Sequence, residues 1–146
     1  MALSRRELLV LGGGVVCARA MGCGGSAPIV LDADIPAGNA ASVATNSLQV
    51  VAGKSVAIGR DSGGIYALSL VCTHEGCDIP TSAGGAVVSF QRIHCGCHGS
   101  EFTGLGAVTL GPATRPLPHL EVVADAAGAL TIHGNVEVAA ATRLTV

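Results

Sequence analysis

The chain has 146 residues, enough for one domain with a short leader and for a core able to fold alone. With 49% apolar residues it lies far from the disordered class. A formal charge of -2, with Tyr66, Phe90 and Phe102 as the only aromatics, excludes a nucleic-acid binder, which needs a basic face or stacking platforms.

At the N-terminus, Ser4-Arg5-Arg6-Glu7-Leu8-Leu9 sets a twin-arginine pair before an apolar run from Leu8 to Ala18. At 1.5 Å per residue this run cannot cross a hydrocarbon layer of ~30 Å, but it suits the apolar region of an export signal. Gly12, Gly13 and Gly14 also make a poor helix interior. Residues 1–22 are therefore expected to be a twin-arginine export signal, which carries the protein to the periplasm or the periplasmic face of the inner membrane. Ala20-Met21-Gly22-Cys23, followed by Gly24-Gly25-Ser26, resembles a bacterial lipoprotein cleavage box, although Ala20 stands where a Leu is usual. Cys23 is thus a candidate for lipidation to a membrane surface, with residues 23–44 as a tether and residues 45–146 as the folded domain.

Beyond the tether, short period-two fragments alternate with Gly, Pro, Asn and Asp. Leu48 and Val50 flank Gln49, Tyr66, Leu68 and Leu70 share one face, Leu120 and Val122 flank Glu121, and Leu130 and Ile132 alternate with polar neighbours. These read as half-buried antiparallel strands, and no segment sustains a helical repeat. An all-β sandwich or small barrel is expected, with loops at residues 72–80 and 95–101 and a Pro-rich loop from Gly111 to Pro118. His94 reads as a strand residue, and His119 and His133 as surface positions on or near strands.

The first loop holds Cys72-Thr73-His74-Glu75-Gly76-Cys77 and the second Cys95-Gly96-Cys97-His98-Gly99-Ser100. Six soft or borderline donors exceed what one tetrahedral metal needs. If one Cys and one His from each loop bind metal, one thiol per loop remains, and in an exported protein such a pair tends to oxidise. Three chemistries fit: a structural zinc site of two Cys and two His, a pair of disulfides, or a [2Fe-2S] cluster with Cys on one iron and His on the other.

The two boxes, together with Leu110-Gly111-Pro112-Ala113-Thr114-Arg115-Pro116-Leu117, resemble the Rieske iron–sulfur family in its disulfide-containing branch, over roughly residues 45–133. The resemblance implies a Rieske-type antiparallel β fold with one [2Fe-2S] cluster per chain. It implies that Cys72 and Cys95 ligate the inner iron, that His74 and His98 ligate the outer, and that Cys77 and Cys97 form a disulfide clipping the loops together. Ser100 would donate to a bridging sulfide, and Gly76, Gly96 and Gly99 would shape tight loops whose N–H groups point at sulfur. Neutral imidazole in place of thiolate lifts the potential of such centres to about -150 to +300 mV, against about -400 mV for all-Cys plant-type clusters. The implied role is a one-electron carrier in an envelope oxidoreductase chain, not a complete enzyme by itself. It would work either as a free carrier or as the Rieske subunit of a quinol–cytochrome c oxidoreductase or an arsenite-oxidase-like enzyme. Its partners would be a c-type cytochrome or a larger oxidoreductase subunit, and in some settings a quinol. A zinc-stabilised structural module is the reading from a different class.

Two positions depart from the cytochrome bc members. Glu75 stands where they carry Leu, at the tip that enters an apolar quinol pocket, and Phe102 replaces a Tyr whose hydroxyl raises the potential. Glu75, Asp78 and Glu101 are expected to form an acidic docking face for a basic partner.

Overall fold

The computed structural model describes residues 30–146. In chain order the strands are β1 (Ile35–Asn39), β2 (Ser47–Val50), β3 (Val56–Asp61), β4 (Gly64–Ser69), β5 (Ala86–Val88), β6 (Arg92–His94), β7 (Glu101–Phe102), β8 (Val108–Leu110), β9 (His119–Ala124) and β10 (Ala129–Val138). They form a six-stranded sheet in the order β1-β10-β9-β4-β3-β2 and a four-stranded sheet in the order β5-β6-β7-β8. Every pairing is antiparallel, as the period-two pattern predicts. Among the described residues no helix is long and apolar enough to cross a membrane.

The β3–β4 hairpin is the partition on which the molecule is built. It turns through Ser62-Gly63, where the Asp61 carboxylate accepts from the Gly63 N–H at 2.8 Å. Alternate side chains of β4 then enter different cores. Tyr66 and Leu68, with Leu70 beyond the strand, pack with Ala57, Ile79, Ile93, Phe102, Leu117 and the thiols of Cys72 and Cys95. Ile65 and Ala67 pack with Val56, Ile58, Ile35, Leu120, Leu130 and Ile132. Both faces of β4 are buried, so its sequence reads as a nearly continuous apolar run.

The domain begins earlier than the sequence pattern suggests. β1 pairs with β10 through Ile35 and Ile132, and Ile35, Ala37, Ala40 and Val43 are buried. Residues 35–39 of the expected 23–44 tether therefore belong to the sheet, and a short 3-10 turn at Ala40–Ser42 follows with Ala40 and Val43 buried. Pro36 and Gly38 hid this edge strand, since neither belongs in a central one. The rest of the tether up to residue 29, the 1–22 signal and Cys23 lie outside the described residues.

The far end of the chain is tied back in. Leu144 pairs with Ile65, while Arg143 chelates the Asp61 carboxylate at 2.8 Å through two nitrogens and lies 4.7 Å over the Tyr66 ring. Arg143 holds the Asp61 carboxyl below its ordinary value.

Candidate metal centre

β4 delivers Cys72 two residues beyond Leu70, and β6 delivers Cys95 directly after His94. The two loops that follow are twins in their backbone hydrogen bonds. The Cys72 carbonyl accepts from the Gly76 N–H at 2.8 Å and the Cys95 carbonyl from the Gly99 N–H at 3.0 Å. The Cys72 N–H donates to the Cys77 carbonyl and the Cys95 N–H to the Ser100 carbonyl. Each turn requires a left-handed residue four places after its first cysteine, supplied by Gly76 (φ 75°) and Gly99 (φ 79°). A shared Gly at that spacing was the sequence signal of this repeat, masked by the different offsets of the histidines.

The N–H groups of Gly76 and Gly99 serve the backbone, and the glycines shape the loops. The Gly96 N–H donates to the Ser82 hydroxyl, and a Cβ at Gly96 would collide with the Ala83 carbonyl. The backbone N–H that does reach a thiol, that of Cys72, belongs to His74.

The loops bring all six expected donors together. Cys77 and Cys97 are disulfide-bonded, which clips one loop to the other, and Cys72 and Cys95 remain free and buried. The Cys95 thiol lies within hydrogen-bonding reach of Cys72, and burial is the main cause that pushes the Cys72 thiol up. The rings of His74 and His98 meet edge to face with centroids 4.9 Å apart. Nδ1 of His74 is buried with no hydrogen-bond partner. A buried imidazole nitrogen without a hydrogen-bond partner beside two buried cysteines outside any disulfide is a donor set that fits a Cys2His2 centre. Soft thiolates on the buried side and imidazoles on the exposed side also match an inner and an outer iron.

Outward of the rings sits Glu75. One carboxylate oxygen is 3.9 Å from His74 Nε2 and the other 3.7 Å from His98 Nε2, so a single side chain spans both outer nitrogens. The other two acids of the expected docking face are occupied internally. Glu101 pairs with Arg92 at 3.0 Å and His94 at 3.3 Å, and Asp78 accepts from the Thr81 hydroxyl at 2.6 Å. The acidic face thus reduces to Glu75. His94 is a β6 residue as expected. His133, on β10, is paired with Asp34 at 2.7 Å, while His119 proves to be buried, with Nε2 3.0 Å from the Leu105 carbonyl in the β7–β8 connection.

The Pro-rich loop closes the third side. The fully buried Ser100 hydroxyl accepts from the Ala113 N–H at 2.9 Å, which leaves its own hydrogen for the Cys72 side of the site. The Thr73 hydroxyl donates to the Arg115 carbonyl at 2.6 Å. Phe102 is wholly buried beneath the loops. Between Glu75 and Arg115 a cleft of about 450 Å³ runs past His74, Thr73 and Pro118.

Comparison with known proteins agrees with this geometry. The profile of the Rieske [2Fe-2S] domain matches residues 30–121. The chain is 45% identical over 75 residues to the cytochrome bc1 complex Rieske iron-sulfur subunit of Corynebacterium diphtheriae, covering 50% of this chain and 18% of that protein. It is 39% identical over 69 residues to the cytochrome b6-f complex iron-sulfur subunit of Synechococcus sp. (strain RCC307), covering 46% of this chain and 36% of that one. Among solved structures, a quaternary ammonium Rieske monooxygenase aligns with a TM-score of 0.50 at 21% identity, over 73% of this chain and 34% of that one, a likeness of fold.

Proposed function

Since the chain belongs to the Rieske [2Fe-2S] domain family and carries that cofactor, we propose that it is a one-electron carrier of a quinol–cytochrome c type of electron-transfer chain. The observation that carries this reading is the convergence of two free buried thiols and two imidazoles, one with an orphaned Nδ1, from loops clipped by a disulfide. In this reading Cys72 and Cys95 would hold the inner iron and His74 and His98 the outer, with the orphaned Nδ1 of His74 as its donor atom. The cluster supplies a site that takes up and releases single electrons, at a potential set by its mixed ligands and their hydrogen bonds.

The residues of this chain do the rest. The buried thiols and the wall of Leu70, Ile93, Phe102 and Leu117 exclude water from the inner side. The Cys77–Cys97 bridge, the Ser100–Ala113 bond and the Thr73–Arg115 bond hold the two loops and the Pro-rich loop in one arrangement. His74 and His98 reach the surface, which makes their ring edges the exit for the electron. Phe102 offers no hydroxyl, so the potential is expected to fall below that of relatives with both Ser and Tyr near the sulfurs.

The sequence supports two further parts of this reading. The twin-arginine pair at Arg5 and Arg6 points to export, a route that moves folded cargo and so suits a protein that acquires its cluster first. Cys23 is the candidate anchor to the membrane surface. A c-type cytochrome or a larger oxidoreductase subunit is the partner class proposed.

The test is a redox titration of the purified protein followed by electron paramagnetic resonance at several pH values. A rhombic reduced-state signal supports the cluster, and a potential below the top of the Rieske range supports the role of Phe102. A colourless protein that contains zinc and no iron overturns the proposal.

A further inference from the structure

Any redox partner must come close to the ring edges of His74 and His98, and the side chain it meets there is Glu75. Its side chain is 62% exposed, and its carboxylate places one oxygen toward each Nε2 and has no Lys or Arg within 4 Å among the described residues. Arg115 lines the same cleft but makes no ion pair with it, and Asp78 and Glu101 are engaged elsewhere. A partner that covers the histidine edges therefore strips water from a carboxylate that this chain leaves without a cation, a cost that only an incoming positive group offsets.

We propose that Glu75 makes the histidine tip a docking face for a cationic protein surface, so that the partner exchanging electrons at this tip presents a Lys or Arg side chain to the carboxylate. This rests on the electron-carrier reading above. A neutral quinol has no charge to offer Glu75, and it would find both outer nitrogens already faced by an oxygen of the same chain. Glu75 thereby selects among partners for the single reaction of the site. One electron passes to the partner's oxidised centre, and no bond is made or broken.

The experiment uses the cluster-containing protein, reduced with dithionite, and a lysine-rich mitochondrial ferricytochrome c as probe, followed by stopped flow at low and high ionic strength. Glu75→Gln is compared with Glu137→Gln, which removes an exposed carboxylate on β10. A redox titration of each protein gives any change in driving force, by which the rates are corrected. After that correction, Glu75→Gln is expected to slow reduction of the cytochrome at least threefold at low salt and to flatten its salt dependence, while Glu137→Gln stays near the parent. Equal rates for the two variants overturn the proposal, as does a Glu75→Gln protein that oxidises a soluble quinol faster while its cytochrome rate is unchanged. Absence of a cluster spectrum in the parent protein overturns the electron-carrier reading instead, so the two failures are distinguishable.

Discussion

In the six-stranded sheet β4 runs six residues and β10 ten, and their inward side chains include Ile65, Ala67, Leu130 and Ile132. In the four-stranded sheet no strand exceeds three residues, and β7 has two. Both regions bury an apolar core, but the second adds crosslinks among its loops: a disulfide and two hydrogen bonds to the Pro-rich loop. Tyr66 joins them, since it lies on β4 with its hydroxyl donating to the Gly104 carbonyl at 2.9 Å. The division suits an electron carrier. Long strands give a fixed base, whereas a site that must present both thiolate and imidazole to one group cannot be covered by a continuous ladder.

If that contrast holds, damage to each region has a different signature. Ile132→Ala empties a fully buried position between β1 and β9, and is expected to cost about 2–5 kcal/mol by denaturant titration while the spectrum of the folded fraction stays unchanged. Loss of colour ahead of global unfolding in this variant would mean that the base and the tip share one cooperative core. Replacing Cys77 and Cys97 together by Ser opens a link across 20 residues, worth roughly 3 kcal/mol in the chain-entropy model. Here the tip should fail first. Hydrogen exchange is expected to rise in residues 72–80 and 95–101 while β3, β4, β9 and β10 stay protected, and uniform exposure would erase the distinction.

The smallest effect concerns the seam between the regions. His119 lies under the β7–β8 connection with Nε2–H donating to the Leu105 carbonyl, so a second proton would fall on Nδ1, which is buried and without an acceptor. Burial is the main cause that holds its pKa below the ordinary 6.5; the Leu105 carbonyl opposes this and the Arg143 charge adds to it. Below pH 6.5 the unfolded chain therefore binds a proton that the folded chain rejects, and stability falls as pH drops toward the lowered folded value. The denaturation midpoint should decrease from pH 7.5 to 5.5, and His119→Gln should show less of that decrease. An identical slope in both proteins would remove His119 from the account.

Much of this was legible in the residues. The all-β character followed from period-two fragments, and the shared face of Tyr66, Leu68 and Leu70 leads into Cys72 as the pattern implied. Each thing missed has a physical origin. β1 reads as tether because Pro36 and Gly38 are poor strand formers, although Ile35 and Ala37 sit on the buried side. His119 read as surface because a polar residue at a strand start carries no sign of what covers it; the covering loop is contributed by Leu105, 14 residues away. Glu101 reads as part of a docking face because its partner Arg92 lies nine residues off, across a hairpin.

By itself, then, the sequence determined the donor types and their spacing, which left three chemistries open until the family resemblance implied one, and the strand-forming pattern that frames them. Only the tertiary structure decided which groups meet. It joined Cys77 to Cys97, turned His74 Nδ1 inward, drew Ser100 to the Pro-rich loop and set Glu75 over both histidine edges. Local spacing governs what a loop can offer. Distances between loops more than twenty residues apart are set by the sheets that carry them, through pairing registers and buried contacts that no single segment encodes.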